Sequence, residues 1–146
     1  MLFRSALIFS NFINLAGLPD ALVDGINSLA MPPIGVVLAM CVIYIVMGCV
    51  FDSLAMLLLT VPIFFPIIKS VGLDPIWFGI IVIIVVELGL ITPPIGMNVF
   101  VVKAVIGDVP MWTVFRGVTP FLIAMIVGLA VVIYVPAVSL FLPRLM

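Results

Sequence analysis

The sequence of 146 residues has no histidine, only two cysteines and very few charges, with five basic and six acidic side chains giving a net charge of −1. Without histidine there is no histidine ligation of haem, no zinc helix of the H-E-x-x-H type and no serine–histidine couple. Five basic residues supply no footprint for nucleic acid. Cys41 and Cys49 would lie about 12 Å apart on one helix, whereas a disulfide needs less than about 7 Å.

What the sequence does contain is apolar residues, which make up 67% of the chain, while charged residues make up 8%. Ordinary globular domains have about 45–50% and about 25%, respectively. The mean hydropathy is +1.63. Such a chain cannot cover itself with polar surface, so a soluble enzyme is excluded. The medium that surrounds this chain is lipid. The uncharged stretches 25–51 and 117–143 each exceed the roughly 20 residues of helix that cross a membrane. We therefore predict an all-α integral membrane protein.

The first half of the chain divides at glycines and prolines. Residues 2–30 resemble two short helices with a turn between them, and we predict a re-entrant hairpin. Residues 33–68 would form about 54 Å of continuous helix, against a hydrocarbon core of about 30 Å, so this segment must break or turn. Gly48–Asp52 is one predicted weak point, and Pro62 and Pro66 mark another.

The second half contains a broken helix and a final helical segment. Residues 75–106 are predicted to form a helix that is interrupted at residues 92–94, where two prolines follow a threonine. Residues 110–142 form the last predicted segment, and Pro120 and Pro136 are expected to kink or end a helix within it.

Asp52 lies inside an otherwise apolar run. A charged residue at the centre of a membrane helix costs roughly 2.5–3.5 kcal/mol, which a wet cavity, a cation or a partner can offset. In one interpretation, Asp52 and the backbone carbonyls near Gly48 line an ion or substrate site. In the other, Asp52 caps a helix that begins at Ser53 and contacts no ligand. The two interpretations are compatible, and both stay open.

The stretch from Thr92 to Asn98 is the second candidate site. Because proline has no N–H, Pro93 and Pro94 are expected to leave the carbonyls of Gly89 and Leu90 without helical partners. Unpaired backbone groups at membrane depth persist only where they are buried in protein or line a cavity. Their oxygens suit Na⁺, and the following helix start suits a carboxylate. The alternative is a simple proline kink. The candidate binding residues of this stretch are Gly89, Leu90, Thr92, Pro93, Gly96 and Asn98.

Other polar and aromatic residues are less specific. Glu87 precedes Thr92 by five residues, a rotation that places the two side chains about 140° apart on a helix. A site role and an ion pair elsewhere are equally open for Glu87. Ser10, near the tip of the proposed hairpin, either contacts substrate or hydrogen-bonds across helices. Trp77 and Trp112 lie near segment starts and are expected to be interfacial anchors.

Four strings occur in order: G-x-x-x-D, V-P-I-F-x-P-I, D-P-I-W-F-G and E-x-G-L-I-T-P-P-x-G-x-N. With them, nearly the whole chain resembles the C-terminal part of the large, DctM-like membrane subunit of tripartite ATP-independent periplasmic (TRAP) transporters. The resemblance implies the second inverted repeat of an elevator-type ion transporter fold, with broken and re-entrant helices. The N-terminal repeat is absent from this chain, which we therefore expect to be a fragment or a domain of a larger product.

The resemblance also implies a function: import of organic acids such as C4-dicarboxylates or sialic acid, with Na⁺ as the coupling ion and no other cofactor. The implied partners are a small four-helix membrane subunit and a periplasmic binding protein, and the implied location is the bacterial inner membrane, with several crossings. Gly48, Asp52 and Thr92 would bind Na⁺, and Ser10 would match a hairpin tip. Coupling to protons instead of Na⁺ stays open.

Two other classes of function compete with a permease. An intramembrane aspartyl protease needs two aspartates that share a proton, and only Asp52 is clearly inside the membrane sequence, so an enzyme is not expected. An accessory membrane subunit that only packs would not need two polar interruptions of its helices. This accessory subunit remains the alternative.

Overall fold

A computed structural model describes residues 2–28, 32–93 and 95–141, without the side chains at positions 2–4, 6, 7, 10, 14 and 27. All regular secondary structure within these ranges is helical, which confirms the predicted all-α class. The eight helices of the described ranges are α1 (Leu2–Leu15), α2 (Leu18–Ser28), α3 (Pro33–Gly48), α4 (Ser53–Ser70), α5 (Pro75–Ile91), α6 (Met97–Ile106), α7 (Met111–Tyr134) and α8 (Pro136–Leu140).

The central element is α5, which contacts α3, α4, α6, α7 and α8. It is apolar on all sides except at Glu87, and a helix of this kind is stable only when neighbours surround it. Its most extensive contact is with α3, while α1 and α2 pack on α4. The core residues that α5 contributes are Trp77, Phe78, Ile81, Val82, Val85 and Val86.

The segment 33–68 breaks by reversing direction between α3 and α4. The hydroxyl groups of Tyr44 and Thr60 are hydrogen-bonded at 2.8 Å, and the Tyr44 and Phe64 rings meet edge to face with centroids 5.4 Å apart. Further from the reversal, Val36 and Ile67 line the same small cavity of about 200 Å³. The two helices therefore form an antiparallel hairpin, whose tip is the four residues from Cys49 to Asp52.

Prolines inside two helices do not interrupt them. α4 remains helical through Pro62 and Pro66, so the weak point predicted there does not end the helix. α7 likewise continues through Pro120 and ends at Tyr134, just before Pro136 begins α8. Each proline removes one backbone donor, but the flanking turns and the packing hold the helical path.

The start of α5 is attached to the end of α7. Val132 cannot receive the usual helical hydrogen bond, because residue 136 is proline and has no N–H. Its carbonyl instead accepts a hydrogen bond of 2.7 Å from the Trp77 indole nitrogen. Trp77 is only 4% exposed, so the prediction that it is an interfacial anchor is wrong, whereas Trp112 is 74% exposed.

Two helices, α4 and α7, are long and apolar enough to cross a membrane, and α3, α5 and α6 are shorter apolar helices. The uncharged stretch 25–51 is not one helix, since it contains the end of α2 and all of α3. Large apolar side chains are exposed along most of the outer surface, with Leu15 89% and Val105 82% exposed. A surface of this kind suits hydrocarbon or further protein. The re-entrant path of residues 2–30 stays a prediction.

Candidate ion and substrate site

The hairpin tip and the interruption after α5 lie against each other. Gly48, the last residue of α3, and Gly89, in the last turn of α5, are both buried. A Cβ atom placed on Gly89 would lie 2.9 Å from the Gly48 Cα, and one placed on Gly48 would lie 3.1 Å from the Gly89 Cα. No side chain fits between these backbones, so the two glycines are what permits the contact. Both are residues that the sequence predicts for the site.

Cys49 extends this contact from the hairpin tip, the first interruption, to the break between α5 and α6, the second interruption. Its thiol lies 3.6 Å from the carbonyl oxygen of Thr92 and 3.7 Å from that of Pro93, as a donor shared between the two. This cysteine is not among the residues that the sequence predicts for the site. Its position directly after Gly48, in the string that forms the tip, is the signal that was available.

The backbone leaves the helix at Thr92. This residue is extended, with φ −87° and ψ 138°, which is the conformation that a following proline favours. Its N–H donates to the Gly89 carbonyl at 3.2 Å, so the expectation that this carbonyl lacks a helical partner is wrong. In a continuous α-helix this carbonyl would accept from the N–H four residues later, whereas here it accepts from the N–H three residues later. The matching expectation for Leu90 depends on Pro94, which lies outside the described residues.

The Thr92 hydroxyl is oriented by its own helix. It donates its hydrogen to the Leu88 carbonyl at 2.5 Å, so its lone pairs point away from that bond. A hydroxyl held in this way can act only as an acceptor toward a third group, which is what a cation ligand must be. The carbonyl oxygens of Thr92 and Pro93 lie within reach of the Cys49 thiol.

Gly96 closes the interruption on its other side. It is buried, has φ 54° and precedes α6. A Cβ placed there would lie 3.3 Å from the Thr92 carbonyl oxygen and 3.3 Å from the Phe115 ring of α7. Asn98, in the first turn of α6, is exposed, as is Pro93. The structure therefore brings Gly96 to Thr92 but leaves the Asn98 side chain on the surface.

Asp52 caps α4. Its carboxylate accepts from the Ala55 N–H at 3.3 Å, and the side chain is exposed at the hairpin tip. Capping is thus part of its role, while a ligand role stays a prediction. Glu87 is exposed between the buried Val86 and Leu88, so its side chain points away from the contact between α5 and α3. The Ser10 side chain lies outside the described residues.

Neutral oxygens dominate this site. Among the described residues, no three histidine, cysteine, aspartate or glutamate side chains come together to hold a metal ion. The oxygen atoms that the interruption offers are the Thr92 hydroxyl and the carbonyls of Thr92 and Pro93, and the hairpin tip adds the single carboxylate of Asp52. Hard cations prefer such oxygen donors, whereas transition metals prefer imidazole or thiolate.

The chain is similar to known proteins over nearly its full length. The sequence model of the DctM component of tripartite ATP-independent periplasmic transporters matches residues 1–138. A C4-dicarboxylate TRAP transporter large permease of Pseudomonas aeruginosa is 36% identical over 96% of the chain and 33% of the relative. A sialic acid TRAP transporter large permease of Vibrio cholerae is 36% identical over 94% and 32%, respectively. An ectoine/5-hydroxyectoine TRAP transporter large permease of Ruegeria pomeroyi is 38% identical over 92% and 31%. The chain thus spans about one third of the length of each of these relatives.

Proposed function

The chain belongs to the DctM family of tripartite ATP-independent periplasmic transporters, and from this premise we propose that it is part of the membrane permease of a Na⁺-coupled importer of organic acids. The relatives described above are named for C4-dicarboxylates, sialic acid and ectoine. These compounds all carry a carboxylate, which defines the class of substrate that we propose. The relatives themselves are named as permeases and not as enzymes.

One observation carries the proposal: two helix interruptions meet at a contact between Gly48 and Gly89. In a chain surrounded by lipid, interrupted backbone is tolerated only where it is buried in protein or lines a cavity. Secondary transporters use such broken helices to bind substrate and coupling ion near the middle of the bilayer. An accessory subunit that only packs against its partners has no need of two helix interruptions that face each other.

For Na⁺ we propose ligands from both interruptions. Thr92 supplies its hydroxyl and its carbonyl, and the tip supplies backbone oxygen near Gly48 together with the Asp52 carboxylate. A small movement of the tip would change the distance between the two sets of ligands. Binding of Na⁺ would therefore favour the closed arrangement, in which the tip rests on α5.

We further propose that the permease works with a small four-helix membrane subunit and a periplasmic binding protein. The complete permease would contain an N-terminal repeat related to this chain by inversion and would move as an elevator in the bacterial inner membrane. α4 and α7 would cross that membrane. α1 and α2, which pack on α4, would belong to the same repeat.

The test is uptake by the complete transporter that contains this chain, reconstituted in pH-clamped vesicles with its subunits and binding protein. Succinate, a sialic acid and ectoine are offered with an inward Na⁺ gradient or with choline in its place. We expect uptake of one of the three carboxylates with Na⁺ and almost none with choline. Full uptake with choline would reject Na⁺ coupling and favour protons.

A variant separates the permease from the accessory alternative. Thr92→Val removes the hydroxyl but keeps the shape, so we expect a higher Na⁺ concentration for half-maximal uptake. Thr113→Val, at an exposed position of α7, is the matched control and should behave like the unchanged protein. If both variants respond to Na⁺ in the same way, the Thr92 hydroxyl is not a Na⁺ ligand and the accessory alternative is favoured.

A further inference from the structure

We propose that a cleft beside the second interruption binds the carboxylate of the transported organic acid through Arg116. The cleft has a volume of about 510 Å³ and lies between the end of α5 and the first turns of α7. This inference rests on the proposed function and adds the residue that recognises the substrate. The residues that line the cleft are Ile91, Pro93, Trp112, Phe115, Arg116, Thr119 and Leu122.

Charge is the first argument. Lys69 and Lys103 lie in the last turns of α4 and α6, where the negative end of the helix dipole stabilises a cation. Lys69 also lies 4.7 Å from the centre of the Phe65 ring. Arg116 lies in the second turn of α7, toward the positive end of that helix, so the helix dipole does not stabilise its charge. Among the described residues its guanidinium does not lie over an aromatic ring. Within the described part of the chain its guanidinium has no ion pair.

Shape is the second argument. The cleft places one guanidinium among apolar and aromatic walls, with Trp112 and Phe115 from α7 and Ile91 from α5. Binding sites for small molecules are typically apolar pockets with a few polar groups that fix orientation. A guanidinium can pair with both oxygens of a carboxylate at once, and the aromatic walls can cover the carbon skeleton. A small organic acid therefore fits this cleft better than an inorganic anion or an uncharged solute.

The third argument is the position of the cleft relative to the proposed cation ligands. Pro93 lines the cleft, while its carbonyl accepts from the Cys49 thiol at the hairpin tip. Phe115, another lining residue, packs against Gly96. Within the segment 92–96, Thr92 and Pro93 thus contribute proposed Na⁺ ligands, and Pro93 also forms part of the wall of the cleft that holds the guanidinium. A carboxylate and Na⁺ would both bind at this segment, so that each would favour the other by charge and by ordering it.

The test uses the purified complete transporter and two separate measurements of ligand-induced thermal stabilisation. One titrates Na⁺ alone, and the other titrates succinate, a sialic acid and ectoine at fixed Na⁺. We compare Arg116→Gln, which removes the charge, with Arg116→Lys, which keeps it. Lys103→Gln is the matched control, because it loses a cation that does not line the cleft.

We expect the Arg116→Gln variant to bind the effective carboxylate about tenfold more weakly or worse, since a charge-assisted pair is lost. Its response to Na⁺ alone should remain, Arg116→Lys should be intermediate, and the methyl ester of the same acid should not stabilise any variant. Unchanged carboxylate binding in Arg116→Gln would overturn the cleft assignment and leave the proposed function standing.

Three other outcomes also count against the cleft. Equal losses in Arg116→Gln and Lys103→Gln would mean a diffuse effect of net charge. Loss of the Na⁺ response in Arg116→Gln would mean that the arginine maintains the fold of the interruption. A normal Na⁺ response with no stabilisation of the unchanged protein by any of the three carboxylates would reject the organic-acid substrate class, and the cleft with it.

Discussion

Prolines act differently in two regions of this molecule. α4 contains Pro62 and Pro66 and is helical from Ser53 to Ser70. α5, in contrast, ends at Ile91, and the chain passes Pro93 outside any helix. Both regions are apolar, and proline costs a helix interior about 3 kcal/mol in either. The presence of proline therefore does not decide where this chain is interrupted.

The difference lies in the residues that follow. After Pro93 the chain reaches Gly96, which has φ 54°, a backbone conformation that glycine adopts without strain. In α4 no glycine follows either proline before the helix ends at Ser70, and Ile67 is fully packed in the core. After Pro93 the glycine lets the chain turn, and the carbonyls of Thr92 and Pro93 meet the Cys49 thiol at the hairpin tip.

The largest effect should come from Gly89→Ala, which puts a methyl group where the tip rests on the second interruption. The methyl would lie 2.9 Å from the Gly48 Cα, so backbone must move, at a cost of about 1–3 kcal/mol. Thermal denaturation of the complete transporter should show this loss together with a smaller Na⁺-induced shift. Gly79→Ala, in the same helix with open space around it, should be neutral or slightly stabilising. Equal behaviour of the two variants would contradict the contact.

Gly96→Ala asks whether the turn after the prolines needs both its backbone conformation and its close packing. A left-handed alanine costs about 1–2 kcal/mol, and its methyl would also press on the Thr92 carbonyl and on Phe115. Gly72→Ala shares the positive φ, at 74°, but has open space around it. We expect both variants to lose thermal stability and only Gly96→Ala to lose Na⁺ affinity. Retained Na⁺ affinity in Gly96→Ala would mean that the turn has no part in the site.

Replacing Pro93 and Pro94 by alanine should make the second region resemble α4. If the helix continued through these positions, the new N–H groups would bond to the carbonyls of Gly89 and Leu90, so helical content by circular dichroism should rise slightly and stability should hold or improve. Na⁺ affinity should fall about tenfold, roughly 1.4 kcal/mol, because the carbonyls of Thr92 and Pro93 would turn along the helix axis and leave the site. The same exchange at Pro62 and Pro66 is the control and should leave Na⁺ affinity unchanged. Equal Na⁺-induced shifts in both double variants would reduce the interruption to a kink.

The smallest effect concerns the two aspartates that cap helices. The cap made by Asp52 is long, at 3.3 Å, so Asp52→Ala should cost only about 0.5 kcal/mol of stability. Asp74 accepts from Ile76 at 2.8 Å, and Asp74→Ala should cost more, about 1 kcal/mol. If Asp52 binds Na⁺, Asp52→Ala should reduce the Na⁺-induced shift in melting temperature more than Asp74→Ala does. Asp52→Asn should then restore the stability of the protein but not its affinity for Na⁺. A normal Na⁺ shift in Asp52→Ala would leave capping as its whole role.

Much of this arrangement is readable in the sequence, because capping residues and apolar length are local signals. Asp52 and Asp74 indicate the starts of α4 and α5, and both helices begin one residue later. Whether the chain reverses or continues at Gly48–Asp52 depends on long-range contacts such as Tyr44 with Thr60, which no local pattern contains. The same holds for the approach of Gly48 to Gly89, since the sequence marks each glycine but not their pairing.

The hydrogen bond between Trp77 and Val132 has an optical consequence. An indole that is 4% exposed and donates to a carbonyl inside protein should fluoresce at shorter wavelength than an indole in water. Separation of the start of α5 from the end of α7 would wet the ring and shift its emission to the red. Trp112, which is already 74% exposed, would shift far less. A version of the transporter that keeps Trp77 as its sole tryptophan would therefore carry its own spectroscopic probe of whether these two helices part during a transport cycle.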